Sequence, residues 1–424
     1  MGNDMKTTIL LMVGLIALTG TGCLSFDPLF TPADTESETD SKPEPKTISC
    51  ADINGSDLLI VVDNSKSMQE EQVMLSTAIY GIVKQFLDIL WSDEGESLGN
   101  FAELRVALVS ADMGLQYGGE GEVSDTSIAT CSKRGDDGVF QHKVPKEIVL
   151  NSGMIGCKRN DQLRGCPTDR WQCENDMCMA PDGGVSDTVT CRDIDGEFTE
   201  LQPFNPTLLA NNIACMSQLG TNGCGVGQPL QASVRALEKD DQKPFIVDSH
   251  KLVIFIVSDG EDCSIEDSGL FETPEWLDPR EQGTACHLPE KNGETYLFKP
   301  SHYYDALMAV KNNVIGAASL VAAVGVPLTP ECEGYGDDID GCLFHPQMEY
   351  KKEAAVAPSS SRLRSACTRE VDGTVITEAA PGRRFVEAIQ AFGPDGFIFS
   401  ICNETWTDAM NDVFFIIGAC PQLS

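Results

Sequence analysis

The stretch of residues 57–67 reads DLLIVVDNSKS, and it decides the fold class of the chain. Its first half holds five successive apolar residues, which is typical of a strand buried on both faces. The strand ends in a carboxylate, Asp63, and two hydroxyls follow at alternate positions, Ser65 and Ser67. Open parallel sheets bind their ligands at the carboxyl ends of strands. The stretch therefore predicts a central parallel strand with a polar site at its end.

Helix and strand patterns alternate along most of the chain. After Ser67, apolar residues recur at helical spacing up to Ile89, and a second apolar strand covers residues 104–110. Further patterns predict helices over 206–219, 228–238, 303–314, 383–392 and 405–417, and strands over 251–259, 320–326 and 396–402. This order predicts an α/β fold of the doubly wound, Rossmann-like type, with a mostly parallel sheet flanked by helices and right-handed crossovers.

The alternation breaks between residues 115 and 202. Six cysteines lie between Cys131 and Cys191, among Gly, Asp and Pro residues. An irregular loop of this length is unusual inside a compact domain unless something holds it together. We therefore interpret residues 115–202 as a cysteine-rich insertion, held by disulfides, within a domain that covers residues 50–424.

The first 22 residues have the features of an export signal. Lys6 precedes an apolar run, residues 9–18, that is too short to span a bilayer. Small residues then lead to Cys23, a pattern that resembles a bacterial lipobox, in which this cysteine carries the lipid. An ordinary cleaved signal peptide is the alternative. Residues 23–49 are rich in Pro, Ser, Thr, Asp and Glu, which predicts a disordered acidic tether. We expect a lipid-anchored protein of the bacterial envelope, at the outer membrane or cell surface.

The cysteine count also indicates an oxidising compartment. The chain has 17 cysteines, and sixteen remain when Cys23 is set aside. An even number in an exported protein predicts disulfides. Metal–thiolate sites are the alternative, but the chain has only five His and no CxxC pair. Among the pairings we expect two local bridges, Cys215–Cys224 and Cys332–Cys342.

Charge and motif content narrow the classes of function. The formal net charge is −35, which repels phosphate backbones, so we expect no nucleic-acid partner. The same charge suits the capture of divalent cations. No GxSxG, HExxH or Walker motif occurs in the sequence, so we expect a protein that is not an enzyme.

A second carboxylate follows the strongest apolar strand, in the turn SDGED at residues 258–262. Because parallel strands end at the same edge of a sheet, Asp259 and Asp63 can meet there. Carboxylate and hydroxyl oxygens are hard ligands that suit Mg²⁺. The alternative for Ser67 is a helix cap, since Ser67 and Glu70 form a capping box, and a cap is compatible with metal binding. The next two acids of the turn, Glu261 and Asp262, are interpreted as solvated turn charges.

The DxSxS motif at 63–67 and the SDGED turn resemble the metal-ion-dependent adhesion site of the von Willebrand factor A (vWA) family. The resemblance covers the sheet and its helices but not the cysteine-rich insertion. It implies that Asp63, Ser65 and Ser67 bind Mg²⁺, or Mn²⁺ or Ca²⁺, with Asp259 in the outer shell or acting through water. It also implies a threonine from a middle loop, which corresponds here to residues 219–230. Thr221 is the hydroxyl within reach; either it bends in or the site lacks this ligand.

The resemblance implies a metal-dependent binding module. Such a module would hold a protein partner through an acidic side chain that completes the shell of the ion. Two alternatives stay open. The first is a structural envelope protein with a degenerate metal site. The second is a metal-dependent hydrolase, in which Glu261 or Asp262 would serve as general base.

Overall fold

A computed structural model describes residues 53–90, 103–119, 121–125, 131–141, 214, 216–288, 295–353 and 361–418, together with the backbone of five short strands between 155 and 200. Outside the described residues lie the predicted signal peptide (1–22), the lipidation site Cys23, the predicted tether (23–49), Cys215 and much of the predicted insertion (115–202). Within the described part of the chain, no helix is long and apolar enough to cross a membrane.

The predicted strands and helices occur in the predicted order, except for the helix predicted over 206–219, most of which lies outside the described residues. Several short strands that were not predicted lie between them. The strands are β1 Gly55–Val62, β2 Glu103–Ser110, β3 Gln116–Tyr117, β4 Glu122–Val123, β5 Ile155–Arg159, β6 Gln162–Cys166, β7 Gln172–Glu174, β8 Met177–Met179, β9 Thr199–Glu200, β10 His250–Val257, β11 Ala318–Val324, β12 Gly334–Tyr335, β13 Lys352–Glu353, β14 Arg362–Leu363, β15 Cys367–Val371, β16 Thr374–Ala379 and β17 Gly396–Ser400. The α-helices are α1 Gln69–Leu90, α2 Pro229–Glu238, α3 Pro274–Leu277, α4 Pro300–Val310, α5 Arg383–Phe392 and α6 Thr407–Gly418.

One mixed sheet organises the fold, with strand order β12-β17-β11-β10-β1-β2-β9. The five central strands run parallel, and the short edge strands β12 and β9 are antiparallel. This confirms the predicted α/β class with a mostly parallel sheet. In the central register, Val62 pairs with Val257 on one side and with Ser110 on the other. The residues that follow these three therefore emerge side by side at one edge of the sheet.

Helices cover both faces of the sheet, which explains the unbroken apolar run in β1. Leu58, Ile60 and Val62 pack in one core cluster with residues of α1 and α6. Leu59 and Val61 pack in the opposite cluster with residues of α2 and α5. Side chains of a strand alternate between faces, so a strand covered on both sides needs apolar residues at every position.

Part of the predicted insertion packs on the main domain. Residues 131–141 return to the sheet, where the amide of Gln141 donates to the carbonyl of Leu108. Phe140 is 2% exposed and packs edge-on against Phe245, with ring centroids 5.4 Å apart.

Because residues 131–141 pack back onto the sheet, one disulfide differs from the prediction. Cys224 pairs with Cys131, so the predicted bridge Cys215–Cys224 is wrong. The segment that folds back brings Cys131 beside the loop before α2, and sequence spacing could not reveal that contact. The predicted bridge Cys332–Cys342 is confirmed. Two further bridges join Cys263 to Cys286 and Cys367 to Cys402.

The hairpin formed by β15 and β16 was not predicted. Its strands carry many exposed and charged residues, so they lack the apolar pattern that marks a strand. The sequence did hold one signal. Asp372 and Gly373 form its turn, and both have positive φ, 49° and 76°. An Asp-Gly pair with this backbone is the favoured two-residue hairpin turn.

Candidate functional site

Asp63 occupies the centre of the sheet edge. Its side chain is buried, and each carboxylate oxygen accepts a hydrogen bond. The amide of Ser65 donates to Oδ1 at 2.7 Å, and the hydroxyl of Ser258 donates to Oδ2, also at 2.7 Å. The first bond closes the turn after β1, and the second joins that turn to the end of β10. These two bonds fix the orientation of the Asp63 carboxylate.

The two motif hydroxyls lie beside this carboxylate. The Oγ atoms of Ser65 and Ser67 are 3.3 Å apart. Ser67 is exposed, and its hydroxyl also bonds to the carboxylate of Asp259. All four predicted ligands, Asp63, Ser65, Ser67 and Asp259, line one cleft of about 920 Å³. The structure therefore brings these four residues together at the predicted edge of the sheet.

The donor set fits a hard divalent cation. Mg²⁺ binds oxygen at about 2.0–2.1 Å, so two adjacent octahedral ligands lie about 3 Å apart. The Ser65–Ser67 separation of 3.3 Å is close to that value. The carboxylates of Asp63 and Asp259 supply negative charge, and each oxygen can accept more than one bond. Among the described residues, no group of three His, Cys, Asp or Glu side chains could hold a metal. An ion here would therefore depend on the hydroxyls and on water.

The two carboxylates of the site are electrostatically unfavourable without a cation. Burial raises the pKa of Asp63 above its ordinary value. Burial, and next the charge of Asp63, raise the pKa of Asp259 well above its ordinary value. A bound cation inverts such local electrostatics, because it favours the ionised form of both groups.

The middle loop contributes backbone to the cleft. Its residues Gly225, Val226 and Gly227 line the cleft, whereas Thr221 is not among the lining residues. Gly227 lies close to the site, since a Cβ on it would be 3.6 Å from Oδ2 of Asp63. The structure thus does not bring Thr221 to the other predicted ligands.

Two hydrogen bonds and a disulfide hold the middle loop in this position. The amide of Gly223 donates to the carbonyl of Asn64 at 2.9 Å. A Cβ on Gly223 would come within 2.1 Å of Oδ1 of Asn64, so a larger residue there would require the Asn64 side chain to move. The amide of Cys224 donates to Oδ2 of Asp112 at 3.0 Å, and its sulfur is bonded to Cys131. These contacts place the glycine-rich part of the loop over the site.

Three disulfides hold segments that surround the cleft. The Cys131–Cys224 bridge precedes Gly225 directly. The Cys263–Cys286 bridge joins two segments of the lining, and both of its cysteines face the cleft. The Cys367–Cys402 bridge anchors the β15–β16 hairpin, which contributes several lining residues. The cleft walls are therefore covalently tied to the sheet, a feature that the sequence did not reveal.

Glu261 and Asp262 are buried, so the interpretation as solvated turn charges is wrong. They are 6% and 0% exposed. Oδ2 of Asp262 accepts from Nε of Arg384 at 3.0 Å, and Oδ1 accepts from the amide of Leu230 at the start of α2. Oε2 of Glu261 accepts from the hydroxyl of Tyr350 at 2.6 Å. Burial raises the pKa of Glu261 to about 7. Arg384 and Tyr350 satisfy these buried carboxylates, and both lie far from the turn in the sequence. The turn sequence alone therefore could not predict the burial.

His287 also lines the cleft. Its ring lies 5.6 Å from that of Tyr350. Burial, and next the charge of Arg384, lower the pKa of His287 to about 3. The imidazole is therefore neutral at physiological pH.

Comparisons with known proteins add little to this geometry. No family model matches the chain, and no curated protein matches it. The human COPII-coat protein Sec24c is 12% identical, with a TM-score of 0.22 over 65% of this chain and 27% of that one. The pilus adhesin RrgA from Streptococcus pneumoniae is 13% identical, with a TM-score of 0.20 over 88% of this chain and 42% of that one. This chain thus spans less than half of either protein. Such scores establish no shared family, although the mixed sheet is compatible with a vWA-like fold.

Proposed function

We propose that this chain is a vWA-like binding module of the bacterial cell surface that holds a protein partner through a divalent cation. The observation that carries the proposal is the convergence of Asp63, Ser65, Ser67 and Asp259 in one cleft at the carboxyl edge of the sheet. Asp63, Ser65 and Ser67 would hold the ion directly, and Asp259 would act from behind Ser67, whose hydroxyl it accepts. Mg²⁺ suits these oxygens, and Mn²⁺ or Ca²⁺ could replace it.

The chemistry of the ion also suggests the chemistry of the partner. The middle loop presents glycine backbone and not a hydroxyl, so water would complete the shell. A carboxylate of a partner could replace one such water on the solvent side. The chain carries a net charge of −35 and would repel an acidic group in the absence of the cation. We therefore expect partner binding to depend strictly on the metal.

The contacts of the two remaining acids of the turn favour binding over hydrolysis. A hydrolase would use Glu261 or Asp262 as general base. Asp262 is instead engaged by Arg384 and by the start of α2, and Glu261 by Tyr350. Both carboxylates thus act in holding the cleft wall, which supports a binding role for the ion.

The proposal includes a lipid anchor at Cys23. Stable anchoring needs more than one acyl chain, and Cys23 would carry these chains. Cys23→Ala would remove them, so the variant should move from the membrane fraction into the soluble fraction. Retention of the variant in the membrane fraction would count against the anchor.

Calorimetric titration with Mg²⁺ and Mn²⁺ tests the metal site. The wild-type protein should bind one ion per chain, and Asp63→Ala should bind none while keeping its circular dichroism spectrum. Asp240→Ala is the matched control, because Asp240 is an exposed carboxylate outside the cleft lining. Wild-type protein that takes up no metal at millimolar concentration would overturn the proposed function.

A further inference from the structure

Glu71 is a buried acid that the site described above does not use. It belongs to the first turn of α1 and follows Ser67 by four residues, the spacing of one helical turn. Its side chain is 1% exposed, yet it lines the same cleft as Ser67 and Asp259. Glu71 therefore shares a cleft with the candidate cation site.

One oxygen of Glu71 is held by the hairpin, and the other is free. The hydroxyl of Thr377, on β16, bonds to the Glu71 carboxylate. Thr377 in turn accepts from Nη2 of Arg369 at 3.0 Å, which positions the hydroxyl. Oε2 of Glu71 is buried and has no hydrogen-bond partner among the described residues. A buried carboxylate oxygen without a partner is costly, and such an oxygen in a native fold calls for a ligand or water.

The cation site needs a hydrogen-bond acceptor for water on the ion, and Oε2 of Glu71 could supply it. The middle loop offers only glycine and valine residues at the cleft, so more than one coordination position would be filled by water. Water on a cation is a strong hydrogen-bond donor and needs acceptors. Both oxygens of Asp63 already accept from protein groups. The unpartnered oxygen of Glu71 is an acceptor in the same cleft.

We propose that Glu71 is a third carboxylate of the cation site, whose free oxygen accepts a hydrogen bond from water on the ion. This inference rests on the proposed function and adds a residue that the DxSxS motif does not contain. Glu71 acts as a positioning residue: it touches the water shell and compensates for the hydroxyl that the middle loop does not provide. Thr377 and Arg369 hold its carboxylate in place from the hairpin.

Calorimetry with Mg²⁺ on Glu71→Gln and Glu70→Gln tests the inference. The two variants remove the same charge from adjacent positions of one helix. Glu70 is more exposed and is not among the residues that line the cleft. Loss of an outer-shell partner weakens metal affinity by roughly 10–100-fold, which is the loss expected for Glu71→Gln. Glu70→Gln should weaken it by no more than about 3-fold, the effect of a screened surface charge.

Thermal unfolding without metal separates this role from a structural one. Glu71→Gln replaces a buried charge with a neutral amide, so the metal-free variant should melt no lower than the wild type. A lower metal-free melting temperature together with weaker binding would assign Glu71 to the fold and overturn the inference. So would equal losses of affinity in the two variants, or an unchanged affinity of Glu71→Gln. Wild-type protein that binds no Mg²⁺ would overturn the proposed function and this inference with it; the other outcomes overturn the inference alone.

Discussion

The hydroxyl of Ser258 donates to Oδ2 of Asp63 across a distance of 2.7 Å, which joins the ends of two adjacent parallel strands. Each residue directly follows its strand, and the register pairs Val62 with Val257 just before them. The bond both satisfies a buried carboxylate and orients it towards Ser65. The bond therefore helps to fix the geometry of the candidate cation site.

Ser258→Ala should weaken both folding and cation binding. The substitution leaves a buried carboxylate oxygen without its donor, which costs about 1–3 kcal/mol of unfolding free energy. Urea unfolding would measure the loss, and calorimetry with Mg²⁺ would measure the affinity. Ser249→Ala is the control, because its exposed hydroxyl bonds to Asn54 at the opposite edge of the sheet. An affinity unchanged by Ser258→Ala would show that the bond does not orient the ligand.

The Cys263–Cys286 bridge should matter for the cleft, whereas Cys332–Cys342 should matter only for stability. Both cysteines of the first bridge line the cleft, and those of the second lie in the core. Replacing either pair with serine should cost about 2–4 kcal/mol of stability. The Cys263→Ser/Cys286→Ser variant should also lose Mg²⁺ affinity, since two cleft segments are released. Equal affinities of the two double variants would contradict a role of the bridge in the site.

The buried ion pair between Arg384 and Asp262 should contribute far more to stability than an exposed pair. Arg384 donates from Nε to Asp262 at 3.0 Å and also from Nη2 to the carbonyl of Phe298 at 2.7 Å. Arg384→Ala strands a buried carboxylate, which should cost about 3–5 kcal/mol. Arg280→Ala is the matched control, because Arg280 pairs with Asp278 at the surface, where solvent screens the pair, so its loss should cost much less stability. Urea unfolding of both variants gives the comparison.

His287 should make the folded protein less stable in acid. Its pKa is lowered from 6.5 to about 3 in the folded protein. As pH falls below 6.5, His287 becomes protonated in the unfolded chain, whereas in the folded protein it stays neutral down to about pH 3. Acidification therefore favours unfolding. His287→Gln should remove this dependence and gain stability relative to wild type at pH 4 but not at pH 7.

Partial exposure of the His287 ring to the cleft limits the gain in stability that we expect from His287→Gln. A full unit of pKa shift corresponds to about 1.4 kcal/mol, but the ring keeps part of its surface open to the cleft, so we expect a gain of about 1–2 kcal/mol at pH 4. Urea unfolding at the two pH values measures it. Parallel stability profiles of wild type and His287→Gln between pH 4 and 7 would contradict the buried, neutral imidazole.

Local sequence patterns were enough to predict the sheet and the residues at its edge. The apolar run of β1 requires cover on both faces, and the helix patterns supply it, α1 and α6 on one face and α2 and α5 on the other. Because parallel strands end at one edge, the carboxylates after β1 and β10 could be placed together without any contact information. The sequence thus identified the convergence of Asp63, Ser65, Ser67 and Asp259.

The surroundings of that edge could not be predicted, because they depend on how the whole chain folds. The pairing of Cys224 with Cys131, the position of the middle loop and the hairpin that holds Glu71 all depend on contacts between distant segments. The burial of Asp262 depends likewise on Arg384, which lies more than a hundred residues further along the chain. Local sequence patterns predict which side chains are buried, but they do not predict which distant segment packs against them. Packing of the whole chain makes that choice, because it must bury apolar surface and satisfy every buried polar group at once.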